Sequence, residues 1–167
     1  MEVTTEMVKA LRMQTGAGIM DCKRALEQAE GNGQRAEEIL KGHGLSAAMK
    51  KTARETREGL VEAYIHSGGR LGAVLELNCE TDFVARTEEF KELAHDLAMQ
   101  VAAMDPLYPD QHEVEGEETG PPGVVSLMDQ PFIKDPSSTV REVVQEMMVK
   151  VGENIRVRRF TRYALGD

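Results

Sequence analysis

The sequence is poor in cysteine, aromatic residues and long apolar runs, and each shortage excludes a class of protein. Cys22 and Cys79 are the only two cysteines among 167 residues, too few for a disulfide framework or a cysteine-based zinc site. A reducing, cytoplasmic setting is therefore expected. Aromatic residues make up 4% of the chain, and none is interleaved in the basic segment 45–58 to stack on nucleic-acid bases. No segment approaches the roughly 18 consecutive apolar residues of a membrane-spanning helix.

Basic charge is also in short supply. Lys and Arg total 20 against 29 for Asp and Glu, which gives a net charge of −9. A dedicated nucleic-acid-binding protein gains much of its affinity from basic side chains that meet phosphates, so this balance disfavours that class. The charge favours a protein whose partners are other proteins.

The residue patterns of common catalytic and cofactor sites are missing as well. Gly68-Gly69 has neither the spacing nor the lysine of a phosphate-binding loop, and the four histidines lack the spacing of metal ligands. We therefore predict no cofactor, no metal and no enzymatic activity. One alternative is a Cys79–His66 pair formed across a hairpin. Glu80 and Asp82, near the end of a predicted strand, are interpreted as solvated carboxylates.

Three short amphipathic patterns open the chain and predict a three-helix domain over residues 1–44. Asp21 is predicted to cap the second helix, and Gly42-His43-Gly44 to end the third. Each helix is too short to be stable alone, so the three must pack on one another. Ile19 and Met20 stand in the turn before the second helix, where the pattern fits burial and exposure equally well.

A basic segment over residues 45–58 follows the three helices. We interpret it as a solvated helical linker between two domains. The alternative is an RNA-binding arm, which the lack of interleaved aromatic residues disfavours.

Alternating apolar residues on both sides of Gly68-Gly69 predict an antiparallel hairpin at the start of a core domain over residues 59–167. In the second strand of this hairpin, one face should be buried, and it consists of Leu71, Ala73, Leu75, Leu77 and Cys79.

Helical spacing returns after a predicted cap at Thr87, and again after Thr139 and Glu142, which have the spacing of a capping box. Short strands are predicted over residues 124–128 and 155–163, and the alternation in the last strand divides its arginines between two faces. The fold class is therefore α+β, with a three-helix domain followed by an antiparallel sheet that has two helices on one face.

The segment over residues 105–123 has the weakest structural signal. It contains six acidic residues by position 118, four prolines, and no Lys or Arg. Such a composition is typical of a mobile loop.

Two segments closely resemble the signatures of a known family. The residues LRMQTGAGIMDCKRAL at 11–26 and LNCETDFVAR at 77–86 are similar to the two signatures of the elongation factor Ts family. Residues 130–132 and the sequence GENIRVRR at 152–159 resemble its C-terminal part. The match covers most of the chain in the family's order.

This resemblance implies a ubiquitin-associated-like three-helix domain, an α+β core, and guanine-nucleotide exchange on elongation factor Tu. In the family, an Asp-Phe pair of the core pushes against helices of the partner's G domain and disturbs its magnesium site, while the N-terminal domain grips the same G domain. The partner-binding residues that the resemblance implies are Lys9, Arg12, Ile19, Met20, Thr81, Asp82, Phe83 and Val84.

The position of Phe83 has two interpretations. Phe83 lies seven residues before Phe90, so one continuous helix would bury both rings. If instead Asp82 caps a turn after the strand, Phe83 projects outwards. We favour the second, because the resemblance assigns the Asp-Phe pair to the partner's surface.

One departure from the family concerns the segment between Met104 and Val124. Family members usually carry extra helices there, and longer members carry a second copy of the core. Because short members tend to pair two cores and an isolated sheet has open edges, we expect a homodimer. The rival interpretation is a small ribosome-associated RNA-binding protein that uses the basic segments 50–57 and 156–162.

Overall fold

The computed structural model describes residues 3–110 and 125–167, which divide into two compact units with the boundary between Lys50 and Lys51. Three helices form the first unit, and helices and antiparallel strands form the second, so the predicted α+β class is confirmed. The elements are α1 (Thr5–Thr15), α2 (Ile19–Gln28), α3 (Gly33–Met49), β1 (Glu58–Ile65), β2 (Leu71–Cys79), α4 (Asp82–Ala85), α5 (Glu88–Met104), β3 (Pro131–Phe132), β4 (Asp135–Thr139), α6 (Val140–Val151) and β5 (Ile155–Ala164).

The first unit is held together by a small apolar core between its three helices. Thr4 caps α1 by accepting a hydrogen bond from the backbone N–H of Met7, and Gly16 ends the helix in the left-handed conformation. The buried residues of this core are Val8, Leu11, Cys22, Ala25, Leu26, Ala29 and Ala36.

Two helix boundaries in this unit differ from the prediction. The residue before α2 is Gly18, and Asp21 lies within the first turn, where a carboxylate stabilises the positive end of the helix dipole. The third helix continues through Gly42-His43-Gly44 to Met49. A glycine inside a helix costs only about 1 kcal/mol relative to alanine, and burial of Ala48 favours the added turn.

The second unit contains a three-stranded antiparallel sheet in the order β1-β2-β5. The predicted hairpin is confirmed, and Gly68 and Gly69 occupy its turn with φ of 92° and 68°, which favour glycine. Ala73, Leu75, Leu77 and Cys79 are buried as predicted, while Leu71 is half-buried.

Helix α5 covers the inner face of this sheet. Thr87 caps it as predicted, with its hydroxyl oxygen 3.3 Å from the backbone nitrogen of Phe90. At α6, Thr139 and Glu142 form the predicted capping box. Both caps satisfy backbone N–H groups that have no partner inside the helix.

The strand predicted over residues 124–128 is wrong for the part that the structure describes. Ser126 makes a single bridge to Tyr108, and Leu127–Asp129 form one turn of 3-10 helix with Leu127 buried. The sequence also gave no sign of the small β3–β4 hairpin, whose strands contain prolines and serines. Residues 111–123 of the predicted acidic loop lie outside the described residues.

A bulge in β5 changes the predicted division of its side chains. Glu76 pairs with Arg159 and Leu77 pairs with Val157, so Arg158 is an extra residue opposite them. Uninterrupted alternation over residues 155–163 would place Arg159 on the same face as Val157, so the predicted alternation is wrong beyond the bulge. Phe160 now faces the same side of the sheet as Val157.

Candidate functional site

The turn between β2 and α5 presents Phe83 to solvent. The side chain of Phe83 is 79% exposed, whereas that of Phe90 is fully buried. Helix α4 is a single turn that ends at Ala85, before α5 begins at Glu88, so the two rings do not share a helix face. The prediction that Phe83 projects outwards is confirmed.

The residue that caps this turn is Thr81 rather than Asp82. The Thr81 hydroxyl oxygen accepts the backbone N–H of Val84 at 3.5 Å. Asp82 follows in the first turn and pairs with Arg86 at 2.9 Å, one turn further along. A negative side chain in the first turn also interacts favourably with the positive end of the helix dipole, so Asp82 stabilises the turn without capping it.

Two members of the predicted site face different ways. Val84 is only 9% exposed, and the neighbouring Ala85 is also buried. A single helical turn has one inner and one outer side. Val84 and Ala85 lie on the inner side, and Phe83 lies on the outer side, in solvent. Val84 therefore holds the turn against the core, and Phe83 is the side chain that solvent reaches.

A carboxylate from a distant part of the chain holds the start of the turn. Glu153, in the loop after α6, accepts the backbone N–H groups of Glu80 and Thr81 at 3.1 and 3.0 Å. Its second oxygen accepts the Thr81 hydroxyl at 2.5 Å. Charged acceptors make stronger hydrogen bonds than neutral ones, so the backbone before Phe83 is firmly placed.

Glu80 completes a reciprocal contact between the two loops. Its carboxylate accepts the backbone N–H of Asn154 at 2.7 Å and lies 3.7 Å from Arg54. The buried Asn154 amide donates to the carbonyls of Thr52 and Arg54. The Glu80 carboxylate therefore holds the loop after α6 in place, and its interpretation as a solvated carboxylate was wrong.

The four predicted residues of the first unit are all exposed. Ile19 and Met20 are 55% and 61% exposed, in the first turn of α2. Lys9 and Arg12 are exposed on α1, three positions apart and so on one side of that helix. The four residues are thus accessible to solvent, two of them apolar and two basic.

The Cys79–His66 pair is excluded by the sheet register. His66 adjoins Leu71 at one end of β2 through a 2.8 Å backbone hydrogen bond, and Cys79 is at the other end, on the order of 25 Å away at 3.3 Å per residue. Burial and the negative charge of Glu153 raise the pKa of the Cys79 thiol to about 11. A nucleophilic thiolate is thus disfavoured at neutral pH.

The described residues also contain no group of three or more His, Cys, Asp or Glu side chains arranged to hold a metal ion. Three arginines of β5, namely Arg158, Arg159 and Arg162, have acidic partners. Arg158 and Arg159 both pair with Glu76, at 3.4 and 2.7 Å. Such pairing leaves less positive charge for phosphate groups, which disfavours the RNA-binding interpretation.

The outer face of the three-stranded sheet carries exposed apolar side chains beside the Glu76–Arg159 ion pair. Neighbouring strands contribute to it in register, since Ala63 pairs with Val74, and Gly72 pairs with Tyr163. The large apolar side chains exposed on this part of the sheet and just beyond β5 are Val61, Ile65, Val74, Tyr163 and Leu165.

Among residues 3–110 and 125–167, none of the helices has the length and apolar character needed to cross a membrane.

Comparison with known proteins is consistent across the chain. Residues 44–120 match the family model described as elongation factor TS. The chain is 47% identical to the elongation factor Ts of Carboxydothermus hydrogenoformans, over 99% of this chain and 90% of the relative. It is 45% identical to that of Thermotoga maritima, over 100% of this chain and 98% of the relative. The relative from Heliobacterium modesticaldum is 45% identical, with 99% and 91% covered.

These alignments span 195 positions against 167 residues, so the relatives carry residues that this chain lacks. The alignments nevertheless cover at least 99% of this chain, and therefore extend over both structural units. The chain belongs to the elongation factor Ts family.

Proposed function

We propose that this protein binds elongation factor Tu and promotes the release of GDP during translation elongation, in the cytoplasm. The observation that carries the proposal is the exposed ring of Phe83 on a turn whose backbone is hydrogen-bonded on both sides. In a member of this family, such a ring is suited to press against the partner's G domain.

Exposure of Phe83 has an energetic cost that favours a binding role. Burying a phenylalanine side chain is worth about 1.5–3 kcal/mol relative to leaving it in water. The fold forgoes this gain although Phe90, seven residues later, is fully buried. Aromatic side chains at the centre of interfaces commonly contribute most of the binding energy, so a partner surface recovers what the fold forgoes.

The mechanism is thermodynamic linkage between two ligands of one protein. If the exchange factor stabilises the nucleotide-free conformation of elongation factor Tu, it weakens the binding of GDP. GDP then weakens the binding of the exchange factor to elongation factor Tu by the same factor. No proton transfer or covalent intermediate is required. The protein is accordingly an exchange factor that catalyses no change of covalent bonds.

We assign different tasks to the two parts of the chain. The three-helix domain, residues 1–44, grips the partner through Lys9, Arg12, Ile19 and Met20. The core, residues 59–167, applies Phe83, and residues 45–58 join the two. The exposed apolar side chains Ile19 and Met20 support the gripping task.

A homodimer through the core is part of the proposal. The exposed apolar residues on the outer sheet face offer a second copy a surface to cover, and β1 and β5 are the edge strands of this sheet within the part of the chain that the structure describes. Static light scattering at micromolar concentration should give twice the chain mass of 18.5 kDa. A mass equal to one chain would reject the dimer.

The experiment that tests the exchange function is the release of a fluorescent GDP analogue from elongation factor Tu. A trace of the protein should accelerate release in the presence of excess unlabelled GDP, with a rate that saturates as its concentration rises. Release that stays at the spontaneous rate at every concentration would overturn the proposed function.

A further inference from the structure

The turn that carries Phe83 is attached to a loop 72 residues away in the sequence by an exchange of carboxylate contacts. Cys79 and Ile155 are the last residues that pair between β2 and β5. Beyond this pair the two backbones no longer bond each other, and their N–H groups need other acceptors. Two glutamates supply them.

Each loop donates backbone N–H groups to the other loop's carboxylate. Glu153 accepts from Glu80 and Thr81, and Glu80 accepts from Asn154. The two contacts replace the missing rungs of the ladder. Because both acceptors are charged, they orient the backbone more firmly than carbonyl groups would.

Thr81 is the residue on which these contacts converge. Its N–H and hydroxyl both donate to Glu153, and its carbonyl oxygen accepts the Cys79 thiol at 3.1 Å. The same hydroxyl oxygen caps α4 by accepting the N–H of Val84. When the Thr81 hydroxyl points its hydrogen at Glu153, its lone pairs are left free to accept the N–H of Val84. The carboxylate therefore orients the hydroxyl that caps α4.

We propose that Glu153 is a positioning residue for nucleotide exchange: it fixes Thr81, and through it the first turn of α4, so that Phe83 projects rigidly towards the partner. Glu153 itself need not touch the partner. This inference rests on the proposed exchange function. It explains how the exposed ring of Phe83 stays in place when it presses against the partner.

The need for such a residue follows from the size of α4. A helix of four residues has almost no stability of its own, because its formation fixes several dihedral angles for few hydrogen bonds. If the turn frays, Phe83 still offers apolar surface but no longer resists displacement. Loss of Glu153 should therefore affect the maximal rate of exchange more than the concentration that gives half of it.

Another glutamate of the same unit provides a matched control. In the capping box of α6, Glu142 accepts the backbone N–H and the hydroxyl of Thr139 at 2.7 and 3.2 Å. This is the same chemistry at a helix that carries no residue of the proposed site. Glu142→Ala should lower stability without slowing exchange per folded molecule.

The experiment measures GDP release from elongation factor Tu over a range of concentrations of each full-length variant. Glu153→Ala should lower the maximal rate about tenfold, the scale expected when a charged hydrogen-bond acceptor is lost. Glu153→Gln keeps an acceptor for the two N–H groups and should recover part of the rate. A maximal rate for Glu153→Ala within twofold of wild type would overturn the inference.

A double-mutant cycle tests whether Glu153 acts through Phe83. If it does, Glu153→Ala should slow exchange less than twofold when Phe83 is already alanine. Two independent losses that multiply would contradict a positioning role. If Glu153→Ala does not fold, Glu153→Gln decides: a maximal rate about threefold below wild type supports the role, and a wild-type rate overturns it.

Amide hydrogen exchange separates this inference from the proposed function. Glu153→Ala should raise the exchange rates of the Thr81 and Val84 amides at least tenfold while those of β2 stay slow. Unchanged amide exchange would overturn the positioning role alone. A wild-type protein that leaves GDP release at the spontaneous rate would overturn the proposed function, whatever the amides show.

Discussion

Two of the segments proposed to meet the partner, the one with Ile19 and Met20 and the one with Phe83, are first turns of helices, but they are held in opposite ways. At α2, Ile19 and Met20 follow Gly18, which makes no side-chain cap. At α4, Phe83 follows Thr81, whose side chain and backbone are both bonded to Glu153. A turn without a side-chain cap can adjust to a partner, whereas a bonded turn resists displacement. This difference matches the two proposed tasks, in which Ile19 and Met20 grip the partner and Phe83 presses against it as a wedge.

The largest effect should come from the buried phenylalanine of the core rather than from either surface. Phe90→Ala removes a fully buried ring, and the cavity should cost about 3–5 kcal/mol of the unfolding free energy. Chemical denaturation of the core unit measures this. If Phe90→Ala lowered the unfolding free energy by less than about 1 kcal/mol, Phe90 would contribute no more to stability than an exposed ring such as Phe83, which would contradict its burial.

Phe83→Ala should have the opposite profile. The melting temperature should stay within a degree or two of wild type, because the ring is exposed, while stimulated GDP release falls at least tenfold, equivalent to about 1.4 kcal/mol or more. Calorimetry and the fluorescent-GDP assay check both halves. A variant that melts many degrees lower would assign Phe83 to the core, and one as active as wild type would place the wedge elsewhere.

The grip should show in affinity rather than in maximal rate. Replacing Ile19 and Met20 together with alanine should raise the half-saturating concentration roughly fivefold, since two partly exposed apolar side chains lose their interface contacts. Met13→Ala is the control, because Met13 is exposed on α1 outside the predicted set. An unchanged half-saturating concentration, or an equal shift for Met13→Ala, would contradict the assignment.

Asp82→Ala should have the smallest effect on exchange. Its carboxylate is half exposed and pairs with Arg86 in solvent, and such pairs contribute about 0–1 kcal/mol. We expect less than a fivefold loss of the exchange rate. A loss as large as that of Phe83→Ala would show that Asp82 makes a buried contact with the partner.

The sequence predicted those features that depend on neighbours within about four residues. Thr87 and the Thr139–Glu142 capping box were found because a cap and the N–H group it binds lie three positions apart. The buried face of β2 was found for the same reason, since alternation is local. Exposure of Phe83 was predicted from the turn that must follow β2 together with the family resemblance, and the turn alone left both interpretations open.

Features that depend on distant residues were missed. The contact between Glu153 and Thr81 joins positions 72 residues apart, and no periodic pattern reveals it. Glu80 looked like a solvated carboxylate because its partner Asn154 is equally remote. Asp21 is not the cap because α2 begins earlier, directly after Gly18.

The bulge in β5 has a consequence for changes in chain length. Arg158 is the one residue that the pairing of β2 with β5 does not use. Deleting it would bring Val157 and Arg159 into regular succession and leave every later side chain on its present face, at the cost of one exposed ion pair with Glu76. Deleting Thr161 would instead turn the rest of the strand over. Two single-residue deletions three positions apart should therefore have opposite outcomes, one tolerated and one damaging.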